Sequence, residues 1–185
     1  MINSPEIISE IFRYDVPLQK YTSFRTGGSA EIFVEPLGVL ELKRVLQFCK
    51  DEQKKVFIFG KGTNLLVGDN GVDGVVIHLG GINFKNVERD GRYVVAGAGV
   101  DLPKLIRTVA LSGFGGLEAL AGIPGTVGGA VMMNAGGKYG DISDTIRSLT
   151  AMAFDGTIIK YTREDVGFEY RGCNLSEQIV IEVEF

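Results

Sequence analysis

Glycine is the residue type that most constrains this chain: 26 of its 185 residues are glycine, and they follow no three-residue period. Because glycine lacks a Cβ atom, it adopts positive φ easily and lets the backbone approach another group closely. The sequence therefore predicts many tight turns and close backbone contacts instead of a fibre. With 45% hydrophobic and 23% charged residues, the chain can also bury a core, as one domain or two small lobes.

Charge and hydropathy exclude several classes of protein. The net charge is −4 and the basic residues are dispersed, so we expect no nucleic-acid partner. No window approaches the roughly 18 apolar residues that a membrane helix needs, and the start lacks a signal-peptide pattern, so we expect a cytoplasmic protein. Cys49 and Cys173 are far apart, which predicts neither a disulfide nor a metal site.

Helix and strand patterns along the chain predict an α+β fold. Apolar residues at helical spacing indicate helices over 38–55 and 101–113, the second capped by Asp101, and an opening helix whose apolar face holds Ile7, Ile8, Ile11 and Phe12. Strands are predicted at 56–59, 74–79 and 179–185, and hairpins turn at Asp90-Gly91 and Asp155-Gly156. We divide the chain into lobes at 1–79 and 80–185.

Two glycine-rich loops have the composition of phosphate-binding loops. They are Gly60-Lys61-Gly62-Thr63-Asn64 and Gly122-Ile123-Pro124-Gly125-Thr126-Val127-Gly128-Gly129, where Thr126 can cap a short helix through Asn134. Backbone N–H groups in such loops can hold a dinucleotide pyrophosphate without side chains. Neither loop has P-loop or G-x-G-x-x-G spacing. Backbone reasoning alone leaves an alternative open, that both are only tight turns.

Four stretches resemble the UDP-N-acetylenolpyruvoylglucosamine reductase family in order and spacing. They are Tyr21 to Gly28, Gly60 to Val67, Gly115 to Gly140 and Phe168 to Arg171, and together they span most of the chain. The resemblance implies a two-lobed FAD-binding fold of the p-cresol methylhydroxylase and vanillyl-alcohol oxidase type. It also implies noncovalent FAD, NADPH as co-substrate and a nucleotide-sugar substrate, whose enolpyruvyl ether is reduced to a lactyl ether in cytoplasmic peptidoglycan precursor synthesis.

The same resemblance assigns site residues. Arg171 matches an active-site arginine, while Tyr139 and Tyr170 match positions near the substrate. FAD contacts fall on the two loops and on Ile181 of the terminal strand; the loop residues are Gly60, Lys61, Gly62, Thr63, Asn64, Leu65, Gly122, Ile123, Pro124, Gly125, Thr126, Gly128 and Gly129. For Arg171 the alternative is a surface salt bridge, and for Tyr139 it is plain packing.

The chain departs from the family pattern in two places. Gly172 and Cys173 follow the Tyr-Arg pair, where the family commonly has a serine nearby. The family's motifs for a proton-donating serine and a catalytic glutamate do not occur, so we expect these residues alone not to turn over the substrate. His78 is expected to pack within its strand and not to attach FAD. Rival readings are another FAD-linked oxidase or dehydrogenase and a non-catalytic flavin-binding remnant.

Overall fold

The computed structural model describes residues 11–185, which form two compact units that meet in sequence at Ile82 and Asn83. In the first unit a four-stranded sheet has the order β1-β2-β4-β3. Its strands are β1 (Phe12–Pro17), β2 (Ser29–Val34), β3 (Val56–Phe59) and β4 (Val72–His78). β1 pairs antiparallel with β2, whereas β2, β4 and β3 run parallel, so the last three end at one edge.

Helix α1 (Val39–Asp51) connects β2 to β3 and buries the face that the sequence predicted. Leu42, Val45, Leu46 and Cys49 are all buried, which confirms the helical spacing of these four residues. β2 and β4 are the two inner strands of the sheet. Their buried apolar residues form a core cluster together with Leu18 and Phe59.

The predicted opening helix is wrong where the structure describes it. Phe12 begins strand β1 and lies opposite Val34, and Ile11 is in a turn. Pairing with β2, more than twenty residues further along the chain, overrides the local helical spacing, and the Phe12 ring packs against Phe48 with a centroid distance of 4.8 Å. Ile7 and Ile8 lie outside the described residues.

The second unit holds a five-stranded antiparallel sheet of order β10-β9-β11-β6-β5. Its strands are β5 (Val87–Asp90), β6 (Tyr93–Gly97), β9 (Ser148–Ala153), β10 (Ile158–Thr162) and β11 (Gln178–Glu184). The predicted hairpins at Asp90-Gly91 and Asp155-Gly156 are confirmed as the β5–β6 and β9–β10 connections. A short hairpin, β7 (Gly136–Gly137) and β8 (Gly140–Asp141), stands apart from this sheet.

Two helices follow β6 in the second unit. Helix α2 (Leu102–Leu111) begins at Asp101, whose carboxylate accepts the Lys104 N–H at 3.0 Å, so the predicted cap is confirmed. Helix α3 (Val127–Met132) begins at Thr126, whose hydroxyl accepts the Gly129 N–H at 3.3 Å. It ends at Met132, two residues before the predicted Asn134, and contacts β11 and β6.

Candidate functional site

The first glycine-rich loop leaves β3 at the edge where the parallel strands end. Gly62 has φ of +63°, and its carbonyl accepts the Ser23 N–H at 3.0 Å, which ties the loop to the segment after β1. A Cβ atom at Gly62 would overlap the carbonyl oxygen of Tyr21. Within residues 11–185, the backbone N–H groups of Gly62 and Asn64 form no hydrogen bond, whereas the turn at residues 63 and 64 directs the Leu65 N–H toward the Gly62 carbonyl. The loop can therefore offer the Gly62 and Asn64 donors to an anion.

A cleft of about 490 Å³ lies beside this loop, within the first unit. Three of its lining residues are cationic, and none of the lining residues is a carboxylate; they are Lys20, Tyr21, Thr22, Ser23, Arg25, Gly60, Lys61, Thr63 and His78. Positive side chains in a cleft attract anions and strengthen the effect of nearby N–H donors. The cleft has the chemistry of a phosphate site.

The turn from Thr22 to Thr26 shapes one wall of this cleft. The Thr22 hydroxyl donates to the Thr26 carbonyl at 3.2 Å, and the Arg25 N–H donates to the Thr22 carbonyl at 3.2 Å. Arg25 has φ of +55°, which a residue with a side chain adopts only when its surroundings enforce it. Sequence reasoning included this stretch in the family resemblance but assigned no site residue to it, so Lys20, Ser23 and Arg25 were missed.

His78, the only histidine in the sequence, ends β4 and is half-buried. Its Nδ1 lies 2.8 Å from Glu35 Oε1, and Glu35 also pairs with Arg13. The histidine thus has a local partner at one ring nitrogen and also lines the cleft, so the expectation that it only packs within its strand stays a prediction.

The second loop uses several of its backbone donors within the protein. The N–H groups of Val127, Gly128 and Gly129 donate to the Val100 carbonyl, the Ala98 carbonyl and the Thr126 hydroxyl, at 2.9, 2.8 and 3.3 Å. The first turn of α3 is therefore already hydrogen-bonded. Gly128 also packs tightly, because a Cβ atom there would lie 2.8 Å from Ala98 Cβ.

Donors of the second loop that face no acceptor within the described part of the chain lie at its beginning. They are the N–H groups of Gly122, Gly125 and Thr126, whereas Ile123 donates to the Leu120 carbonyl at 3.1 Å. Gly122 has φ of +88°, with open space where a Cβ atom would be. Among the described residues, Gly122, Gly125 and Thr126 thus have N–H groups without a hydrogen bond, whereas those of Gly128 and Gly129 are already bonded.

Two short turns of the second unit each expose a tyrosine beside a cation. Lys138 and Tyr139 form the tip of the β7–β8 hairpin, and the Lys138 Nζ lies 5.7 Å from the Tyr139 ring centre. Tyr170 and Arg171 form the tip of a turn closed by mutual hydrogen bonds of Glu169 and Gly172. The Tyr139 and Tyr170 side chains are 81% and 86% exposed, so neither is explained by packing.

Arg171 is exposed and has φ of +59°, an uncommon value for a residue with a side chain. Its guanidinium carbon lies 5.3 Å from the Tyr170 ring centre. No carboxylate of residues 11–185 forms a salt bridge with it, so the alternative of a surface salt bridge has no support. A strained and exposed cation is suited to contact a ligand.

Ile181 is the remaining predicted position in the second unit, and Cys173 is one of the departures from the family pattern. Ile181 is buried at an irregularity in the β11–β9 pairing, and its carbonyl accepts the Ala98 N–H at 2.8 Å. Such bulges redirect the local backbone, which suits a predicted backbone contact. Cys173 is half-buried with Sγ 3.8 Å from the Met132 carbonyl oxygen, and burial raises the pKa of its thiol.

Within residues 11–185, no group of three or more acidic, cysteine or histidine side chains is arranged to hold a metal ion. The helices described there include none that is long and apolar enough to cross a bilayer.

The profile of the FAD binding domain family matches residues 30–162 of the chain. UDP-N-acetylenolpyruvoylglucosamine reductase 1 of Bacillus thuringiensis subsp. konkukian is 42% identical over 92% of this chain and 58% of its own length. The crystal structure of UDP-N-acetylenolpyruvylglucosamine reductase from Thermus caldophilus aligns with a TM-score of 0.82 and 37% identity, over 93% of this chain and 61% of that one. This chain therefore spans less than two thirds of these relatives.

A more distant solved structure has the same fold. A solvent-stable cholesterol oxidase aligns over the whole of this chain and 38% of its own, with a TM-score of 0.75 and 20% identity. At that identity the likeness concerns the fold alone.

Proposed function

The chain belongs to the FAD binding domain family, and from this we propose that it binds FAD noncovalently as the flavin-holding part of a UDP-N-acetylenolpyruvoylglucosamine reductase. The fold is that of the p-cresol methylhydroxylase and vanillyl-alcohol oxidase group, as the resemblance implied. FAD, when bound, supplies the two-electron chemistry that joins NADPH oxidation to reduction of an enolpyruvyl ether. The reaction belongs to peptidoglycan precursor synthesis.

The observation that carries the proposal is the pairing of unsatisfied backbone donors with a cationic cleft. The N–H groups of Gly62 and Asn64 form no hydrogen bond within the described chain, and Lys20, Arg25 and Lys61 line the neighbouring cleft. A pyrophosphate needs several N–H donors and compensating positive charge, and this loop supplies both. We assign the FAD pyrophosphate to the first loop.

The second loop is assigned a different part of FAD. The N–H groups at Gly122, Gly125 and Thr126 are suited to the hydroxyl and carbonyl oxygens of the ribityl chain and flavin ring. The carbonyl of Ile181 already accepts the Ala98 N–H, which holds this part of β11 in place.

Arg171 is proposed to stabilise negative charge that develops on the substrate. Transfer of hydride to the enolpyruvyl carbon leaves electron density on the adjacent carboxylate-bearing carbon, which a fixed cation can stabilise. The turn presents the Arg171 guanidinium to solvent beside the Tyr170 ring, where a substrate anion can reach it. Tyr139 and Tyr170, both exposed at turn tips, are proposed contacts for the nucleotide sugar.

A binding experiment tests the cofactor assignment. Purified protein mixed with FAD should become yellow after removal of free flavin, and acid or heat should release the flavin intact. Lys61→Glu, which reverses one charge in the cleft, should weaken FAD binding about 10-fold or more, since a like charge opposes the pyrophosphate. Lys104→Glu, an exposed charge on helix α2, is the matched control. A colourless protein whose melting temperature does not change when FAD is added would refute the assignment.

The substrate assignment has a separate test. FAD-loaded protein is reduced anaerobically with NADPH, and UDP-N-acetylglucosamine enolpyruvate is then titrated against the flavin absorption. A saturable spectral change whose half-saturation concentration Arg171→Ala raises about 10-fold or more would support a contact between the arginine and the anionic substrate. A change that an alcohol or hydroxy acid produces equally well would instead favour another flavin-dependent oxidoreductase of this fold.

A further inference from the structure

Asn134 lies where the chain leaves helix α3. Its φ is +36°, its N–H donates to the Val131 carbonyl at 2.9 Å, and the Ala135 N–H donates to the Ala130 carbonyl at 2.8 Å. These bonds form a Schellman motif, in which the left-handed position favours glycine or asparagine. Helix α2 ends in the same way at Gly113, with φ of +80°. The backbone alone would therefore accept glycine at position 134.

The Asn134 amide does more than end the helix. The side chain is only 5% exposed, its Nδ2 donates to the Glu169 carbonyl at 2.9 Å, and its Oδ1 accepts the Ser143 N–H at 3.3 Å. Reversing the amide would bring two donors together and two acceptors together, so its partners fix its orientation. One buried side chain thus joins segments nine and thirty-five residues away in sequence.

Both of those segments are the bases of exposed turns. Ser143 follows β8, directly after the Ile142 N–H closes the hairpin by donating to the Ala135 carbonyl at 2.8 Å. Glu169 opens the turn whose tip is Tyr170-Arg171, and its carbonyl also accepts the Gly172 N–H at 3.3 Å. Asn134 therefore anchors the hairpin that carries Tyr139 and the turn that carries Arg171.

We propose that Asn134 is a positioning residue that holds these two turns in one arrangement. The functional part of this inference rests on the proposed function, in which Tyr139 and Arg171 contact the substrate. A second, weaker contact lies on the far side of the Arg171 turn, where Cys173 Sγ is 3.8 Å from the carbonyl oxygen of Met132 at the same helix end. Preorganised groups lose less entropy when ligand binds, so loosening the anchor weakens substrate binding while FAD binding is retained.

Two substitutions distinguish the role of the Asn134 side-chain amide from the role of the left-handed backbone at the end of the helix. Asn134→Gly keeps the left-handed conformation and removes both side-chain bonds. Asn134→Asp retains an acceptor for the Ser143 N–H but places a carboxylate oxygen against the Glu169 carbonyl. If Asn134→Asp folds poorly because it buries a charge, Asn134→Gly still decides the question.

Residue-resolved amide hydrogen exchange is the structural test. In Asn134→Gly, exchange at Ser143, Glu169 and Gly172 should accelerate about 10-fold or more, because each amide lies in or beside a lost anchor. In Asn134→Asp, Glu169 and Gly172 should accelerate while Ser143 stays protected. Amides of the β9–β11 ladder should not change in either variant. Uniform acceleration throughout the unit, or no change at Glu169 and Gly172, would overturn the proposal.

A double-mutant cycle tests the functional part. UDP-N-acetylglucosamine enolpyruvate is titrated into the FAD-loaded wild-type, Asn134→Gly, Arg171→Ala and doubly substituted proteins, and dissociation constants are read from the flavin absorption. Asn134→Gly should weaken binding about 10-fold and add little to the loss from Arg171→Ala, because both act through one group. Additive losses would overturn the link to Arg171. If wild-type protein does not bind this compound, the proposed substrate is wrong, whereas the exchange measurement still decides whether Asn134 anchors the turns.

Discussion

The two glycine-rich loops look alike in sequence but need glycine for different reasons. At Gly62 the missing Cβ makes room for the protein's own Tyr21 carbonyl, and φ is +63°. At Gly122 φ is +88°, but apart from Gly122 and its chain neighbours no atom of the described residues lies within 4 Å of the place where a Cβ would be. Glycine at position 62 is thus required by the packing of the protein itself. Glycine at position 122 instead leaves an open surface on the loop.

The sharpest test of this difference, and the largest expected effect, is Gly62→Ala. The left-handed φ and the overlap with Tyr21 together should lower the free energy of unfolding by about 3 kcal/mol or more, measured by urea denaturation. Gly91→Ala is the matched control, because Gly91 has φ of +60° and nothing near its missing Cβ. It should cost only about 1 kcal/mol. Equal losses of unfolding free energy at both positions would mean that the positive φ alone explains the loss in Gly62→Ala.

Gly122→Ala should show the opposite balance between stability and ligand binding. Only the φ preference is violated, so we expect a loss of about 1 kcal/mol in unfolding free energy. The new methyl group would occupy the open side of the loop, and FAD binding measured by flavin fluorescence should weaken about 10-fold or more. Unchanged FAD affinity would remove Gly122 from the proposed cofactor surface.

Thr126→Ala tests whether the second loop depends on its helix cap. Loss of the hydroxyl leaves the Gly129 N–H without its acceptor, so thermal unfolding should report a loss of about 1 kcal/mol. Thr126→Ser keeps the oxygen and should restore most of the stability. If alanine and serine behave alike, the bond at 3.3 Å contributes nothing, and the loop is held by the Val127 and Gly128 backbone bonds instead.

The smallest expected effect contrasts the acid response of the two units. A hydrogen bond from the Ser148 hydroxyl and the nearby Arg147 lower the pKa of Glu184 below its ordinary 4.5. A lowered pKa in the folded state stabilises the protein above the ordinary value, and this contribution disappears as pH falls through the lowered pKa. Glu184→Gln should therefore cost about 0.5 kcal/mol at neutral pH and nothing at strongly acidic pH, in urea titrations at several pH values.

Glu31 is the counterpart in the first unit, where hydrogen bonding to Lys54 lowers the pKa of the carboxylate. This carboxylate is the more open to solvent of the two, so Glu31→Gln should change the pH dependence less than Glu184→Gln does. The reverse order would show that the surface ion pair of the first unit is the stronger one.

Local signals in the sequence predicted much of this fold. Asp101 as a cap, the hairpins at Asp90-Gly91 and Asp155-Gly156, and the buried face of α1 all depend on neighbouring residues, so spacing alone was sufficient. Phe12 could not be placed correctly, because its strand depends on pairing with Val34. The loops were found by composition, but composition could not show which of their N–H groups the protein already uses.

Only those site residues that belong to recognisable sequence motifs could be predicted. Arg171 and Tyr139 belong to recognisable stretches, and whether they contact substrate remains a prediction. Asn134 carried no signal beyond a place after a helix, because its partners lie at Ser143 and Glu169 and appear only when the chain is folded. Lys20 and Arg25 were missed for the same reason.

Strand β11 has a consequence for the order of events during synthesis. Among the five strands of its sheet it comes last in sequence, yet it occupies the middle of the sheet, between β9 and β6. Until it arrives, the β5–β6 and β9–β10 hairpins have no strand to join them, and each presents an unpaired edge that can recruit another nascent chain. The second unit therefore cannot fold progressively as it is translated, and a chaperone that shields these edges would have its greatest effect before β11 emerges.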